Sequence, residues 1–427
     1  MKKSWMAQSI LSARLALMVG FIVILSAARS PANSSSDEQL IPENMPANEI
    51  IQRALTDSLY YEFDKWFAVF EKNIRRLENS PDTLKTKMGL MKYHFYFSGL
   101  LGELCHTLAF TSRYKIQEIV DRFIHHSNRA KELAKEILDT PDLTLSQQAQ
   151  ANLYLGGAEG YIGIFEYGEG NLFKALVNGF SADTHLEKAI SLDPSQIDAH
   201  FGLGIYRYGN SRLGGFGNFI MQSGRDLRQV GLDHIERAIR EKAPSKPLAL
   251  KTLAWFYISE QFNPKNSNIP PGKPLSATVS RSKAFKFMEE LETEYFKNPP
   301  YTNFIGNKEL AMMQALQYVL DGNYTSAKIK FEKVLEVAED LKNRGFAINT
   351  QLTDSVKAGI QFCELMLLRP EKNDAPGHKS ACLKVNEQLE FLKSGGAMVE
   401  YDAKKIRSEL HGVFAGKLDA LYNDMNC

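Results

Sequence analysis

Four cysteines in 427 residues, with no C-x-x-C among them and no histidines at finger spacing, exclude a redox dithiol motif and give no zinc signature. Neither sign of charge dominates. Lysine plus arginine number 51 against 50 aspartate plus glutamate. That balance does not point to nucleic acid, whose binding rests largely on basic side chains neutralising phosphates. Runs that alternate apolar and polar residues are scarce, which leaves little for β-structure. No G-x-G-x-x-G, G-x-x-x-x-G-K-[ST] or G-x-S-x-G occurs, so the common phosphate loops and the nucleophile elbow are missing. The apolar stretch from Leu15 to Leu25, interrupted only by Gly20, falls short of the roughly 20 residues of a membrane span. Hydrophobic and charged fractions of 44% and 24% are those of an ordinary globular chain.

What is present begins with the first thirty residues. Lys2 and Lys3 give a positive start, the apolar stretch follows, and Ser26-Ala27-Ala28 offers small residues for cleavage. This predicts a secretory signal over 1–28 and a flexible lead-in over 29–45, rich in Ser, Asn and Pro between Pro31 and Glu43. Loss of the leader leaves 48 basic against 50 acidic residues. An inner-membrane anchor left uncleaved is the alternative. No cysteine lies near the cleavage region, so a lipoprotein anchor is not indicated. An exported chain can keep disulfides, and Cys363 with Cys382 is the pair to test first. Cys105, set among Leu101, Leu104 and Leu108, reads as a small buried hydrophobe.

Helical spacing dominates the rest. Ile50, Ile51, Leu55, Leu59, Phe63, Trp66, Phe67 and Phe70 form one stripe over 48–78, and Ile116, Val120, Phe123, Leu133 and Ile137 form another over 114–138. Breaks fall at Ser80-Pro81, Pro141, Pro194, Pro244, Pro270-Pro271 and Pro299-Pro300. The expected fold class is all-α.

An internal repeat refines this. Leu186-Glu187-Lys188-Ala189-Ile190 returns forty-nine residues later as Ile235-Glu236-Arg237-Ala238-Ile239, each followed by a proline (Pro194, Pro244). A new helix then opens with Ala199…Leu203-Gly204 or Ala249…Leu253-Ala254, and an earlier opening of the same kind is Ala151…Leu155-Gly156. A fourth unit shows Gly322-Asn323-Tyr324, Ala327, Phe331 and Val334. These residues resemble the tetratricopeptide repeat (TPR) family over about 145–340, with weaker likeness over 48–140 and after 345. Small residues at the crossing let paired helices approach, and proline ends the second helix. The spacing of 49 exceeds the family period of about 34. Glycine-rich inserts at 156–170 and 209–217 account for part of the excess.

The resemblance implies a right-handed α-solenoid of TPR-like helix-turn-helix pairs with glycine-rich inserts. Divergent repeats would occupy 46–143, core repeats 144–345 and further helices 346–427. It also implies a concave row of partner-binding side chains: Asp198, Phe201, Ile205 and Tyr208 in one unit, Leu248, Lys251, Trp255 and Ile258 in the next. The alternative for this row is packing against the inserts.

Other candidates are weaker. Glu159, Glu166 and Glu169 in the first insert would suit an acid pair, but helical carboxylates are commonly solvated. The glycines there, with Gly156 and Gly160 one turn apart, read as close helix packing. His125 and His126 are adjacent and so point in different directions, unlike ligands three or four apart. Asn323-Tyr324-Thr325 matches a glycosylation sequon. The expected function is a non-enzymatic scaffold in the periplasm or at the outer membrane, without cofactor or metal, binding a protein partner of the cell envelope and no nucleic acid. A transport accessory protein holding a small ligand, with the inserts as pocket walls, is the first alternative, and a cell-wall-acting enzyme the second.

Overall fold

A computed structural model describes residues 45–109, 116–214, 218, 222–262, 275–368, 376–394, 396 and 404–427. The expected leader, most of the lead-in and Pro270-Pro271 lie outside them. The described residues hold fifteen α-helices and no strand. In chain order these are α1 (Ala47–Asp57), α2 (Asp64–Glu78), α3 (Leu84–Ala109), α4 (Gln117–Leu138), α5 (Leu145–Gly168), α6 (Leu172–Leu192), α7 (Ile197–Leu213) and α8 (Arg228–Arg240). There follow α9 (Lys246–Ser259), α10 (Ala277–Leu291), α11 (Lys308–Leu320), α12 (Tyr324–Asn343), α13 (Thr350–Met366), α14 (Pro376–Lys393) and α15 (Lys404–Asp424). Residues Pro46–Cys427 form one compact unit. No helix among those described is long and apolar enough to cross a membrane.

Local chemistry explains where the helices start and stop. Thr144 and Gln147 form a reciprocal capping box at the start of α5, with each side chain accepting from the other's backbone N–H. Asparagines cap three later helices: Asn307 accepts from Glu309 and Leu310, Asn323 from Ser326, and Asn349 from Gln351. The sequon asparagine, Asn323, is therefore engaged as a cap. Pro81, Pro141, Pro194, Pro244, Pro299 and Pro300 all lie in connections.

The stripe expected over 48–78 divides into two helices. Tyr61 adopts a left-handed conformation (φ 67°) between α1 and α2, and its hydroxyl accepts from the Lys308 backbone N–H at 2.7 Å. Periodicity cannot register such a break, because the apolar residues continue through it.

Each long helix packs against its sequence neighbour, α3 with α4, α5 with α6, α7 with α8, α9 with α10 and α11 with α12. First helices also meet across pairs: α5 touches α3 and α7, and α9 touches α11. The α5–α6 pair is antiparallel, since Gly156 faces Ala182 and Leu186 while Gly163 faces Ala175 and Gly179. At the α7–α8 crossing the backbones nearly touch. A methyl group on Gly204 would lie 2.6 Å from the Gly231 carbonyl oxygen, and one on Gly231 would lie 2.6 Å from the Tyr208 nitrogen. Burial of Leu232, Ile235, Ala238 and Ile239 on one face of α8 completes this contact.

One expectation is corrected. The disulfide joins Cys382 to Cys427, with Cα atoms 5.5 Å apart, and Cys363 is a fully buried thiol on α13. Cys382 is bridged to the C-terminal residue, 45 positions on, so sequence proximity misidentified its partner. Cys105 is buried on α3 as expected.

Candidate functional site

The eight row residues do not present one open surface. Tyr208, Leu248, Lys251 and Ile258 are buried, whereas Asp198, Phe201, Ile205 and Trp255 are half-buried. What reaches them is α3. Asp198 on α7 accepts from the Tyr96 hydroxyl of α3 at 2.6 Å and from Ser245, at the start of α9, through both N–H (3.1 Å) and Oγ (2.6 Å). Lys251 on α9 pairs with Glu103 of α3 and, at 2.9 Å, with Glu309 of α11. Lys308 of α11 donates to the His106 carbonyl of α3 at 2.9 Å. The Asn349 N–H, at the start of α13, donates to the Leu108 carbonyl at 2.9 Å. Positions 96, 103, 106 and 108 of one helix thus meet α7, α9, α11 and α13 in order.

Charge balance holds this line together. Burial alone would lower the Lys251 pKa, but the carboxylates of Glu103 and Glu309 raise it above the usual lysine value. Burial pushes Lys308, wholly enclosed, down to about 7, with Glu309 only partly opposing. The segment after α1 adds ties: Asn307 donates to the Leu59 carbonyl at 2.8 Å, and Arg344 pairs with Glu62 at 3.1 Å.

Tyr208 anchors a second buried network. Its ring stacks on Phe256 with centroids 3.9 Å apart, and its hydroxyl lies 2.7 Å from Ser259 Oγ and 2.9 Å from Glu260 Oε1. Glu260 binds Arg228 at 2.8 Å and Arg212 at 3.3 Å, and Arg212 also binds Glu409 of α15. Lys405 completes the join by donating to the Arg212 and Leu213 carbonyls at the end of α7 (both 3.1 Å). These residues fasten the last helix to the middle of the chain.

The glycine-rich segment 156–170 serves helix packing: Gly156 and Gly163 lie against α6, and Gly157 against Phe95. Residues 215–217 of the second insert lie outside the described residues. The three glutamates diverge. Glu159 is buried beside Lys131 at 3.6 Å, Glu166 accepts from Asn171 at 2.6 Å, and Glu169 is exposed.

Two histidine pairs were not legible in the sequence. His94 of α3 and His126 of α4 bring their Nδ1 atoms to 2.8 Å, and His200 of α7 and His234 of α8 do the same at 2.7 Å. Burial pushes His94 down to about 4 and His126 to about 3, helped by the neighbouring histidines and arginines. Both are neutral at pH 7. Among the described residues, two clusters bring three metal-type ligand atoms within 4.8 Å of one another: His94, His125 and His126, and His378, Cys382 and Cys427. In the second, both sulfurs are spent in the disulfide.

One outer surface stands apart. Phe173 (79% exposed), Val177 and Phe180 line one face of α6, with Leu172 and Ile164 exposed at the same end of the α5–α6 pair. Compared with protein-family models, curated proteins and solved structures, the chain gives no match to any of the three.

Proposed function

We propose that the protein is a non-catalytic scaffold, a right-handed solenoid of TPR-like helix pairs exported to the periplasm or outer membrane, which holds a protein partner of the cell envelope. The observation that carries this reading is the bare apolar face of α6. Phe173, Val177 and Phe180 follow at spacings of four and three, so they share one helix face. Large apolar side chains grouped in this way mark interaction surfaces more often than they occur by chance. An amphipathic helix of the partner, anchored by its own apolar residues, fits such a ridge. The row residues Phe201, Ile205 and Trp255 contribute less, because α3 already meets their helices.

The test is crosslinking and affinity purification from envelope extracts of the native host. It compares wild type with Phe173→Ser/Phe180→Ser and with Phe201→Ala/Trp255→Ala, each first checked for monomer and fold. Loss of one partner in the α6 variant alone supports the reading. Loss only in the second variant would return the partner to the row. Undiminished recovery by both would move the site elsewhere on the molecule, and no specific partner would overturn the scaffold function.

A further inference from the structure

We propose that His94, His125 and His126 bind a divalent transition-metal ion of the zinc, cobalt and nickel group, clamping α3 to α4. Adjacent histidines on a helix diverge by about 100°, so His125 and His126 make no chelate alone. His94 changes that by entering from α3. Ring centroids lie 5.0 Å apart for His94 and His126, 5.0 Å for His125 and His126, and 6.1 Å for His94 and His125. One nitrogen of each lies within 4.8 Å of the others. Tetrahedral zinc with bonds of about 2.0–2.1 Å sets its ligand nitrogens about 3.3–3.4 Å apart. An ion seated there would require the rings to turn until their nitrogens, now within 4.8 Å of one another, take that spacing. Imidazole nitrogens suit zinc and its neighbours rather than calcium or magnesium.

A plain N–H···N bond between two neutral rings would account for the His94–His126 contact. The chain supplies its own comparison. His200 and His234 form the same contact, but there the next group at the ring is the Arg207 guanidinium, 3.3 Å from His234 Nε2, and no third ligand joins them among the described residues. At His94 and His126 the third group is a histidine. His125 is exposed, giving an ion a route from solvent and leaving a fourth position for water. The nearby cations are already paired: Arg122 with Glu71 at 2.8 Å, and Arg129 with Glu132 at 3.1 Å and Glu136 at 3.5 Å. Phe97, with its ring centroid 4.3 Å from that of His126, closes the apolar side of the site.

The experiment titrates the full chain, stripped of metal by chelator, with Co²⁺ followed by visible absorption and with Zn²⁺ followed by calorimetry. One equivalent with tetrahedral cobalt absorption is expected. His125→Ala, at an exposed position and with its fold first checked by circular dichroism, should weaken binding at least about tenfold, because even groups that only orient a ligand cost that much. His200→Ala and His378→Ala should bind as wild type. No uptake above competing chelator, wild-type affinity in His125→Ala, or loss confined to His378→Ala would each overturn the site.

Discussion

Gly204 and Gly231 face each other where α7 crosses α8, and neither has room for a methyl group. Gly231→Ala should therefore destabilise the protein by about 1–3 kcal/mol, the usual cost of overpacking a tight contact. Gly209, farther along α7, has nothing within 4 Å of an added methyl. Gly209→Ala should be neutral or stabilise by up to about 1 kcal/mol, since glycine disfavours a helix interior. Urea unfolding of the two variants checks both, and equal midpoints would refute the crossing as drawn. Gly204 was legible beforehand as the small member of a Leu-Gly pair. Gly231 was not, because a glycine before Leu232 carries no local mark of what it faces.

At the scale of elements, α3 is the organiser. Its likeness to the repeat family is weak, and its periodicity announces a helix without naming its neighbours. Lys251 is the clearest joint, holding one carboxylate from α3 and one from α11. Lys251→Ala removes the cation shared by Glu103 and Glu309 and leaves Lys308, 4.0 Å from Glu309, as the nearest replacement, and removing one member of a buried ion pair costs about 3–5 kcal/mol. Amide exchange should accelerate across α3 and at the start of α11 more than in α14 and α15. Uniform acceleration along the chain would contradict this role. The row was legible as positions on successive first helices. That its centre is taken up by the chain itself was not, because Glu103 and Lys251 stand 148 residues apart.

Across the whole molecule, the C-terminal end is secured twice, by the Cys382–Cys427 bridge and by the contacts of Glu409 and Lys405 of α15 with Arg212 of α7. A loop spanning 45 residues gives a disulfide worth about 4 kcal/mol on the chain-entropy account. Cys427→Ser should therefore expose α14 and α15 to protease while α3–α9 keep their resistance, held by contacts of their own. Cleavage at an unchanged rate in the variant would show that the bridge adds nothing.

The sequence by itself determined the all-helical class, the stops at Pro81, Pro141, Pro194, Pro244 and Pro299-Pro300 and the pairing of neighbours in the repeat region, because spacing, prolines and small residues act within a few turns of chain. It marked Gly156 and Gly204 as close-packing positions for the same reason. Tertiary structure alone decided that Tyr61 would divide the first stripe, that Cys382 would bridge to Cys427 and that α3 would line up with α7, α9, α11 and α13. It also decided that His94 would join His125 and His126. Each of these depends on side chains far apart in sequence arriving at one place, and helical periodicity repeats identically whichever helix lies opposite.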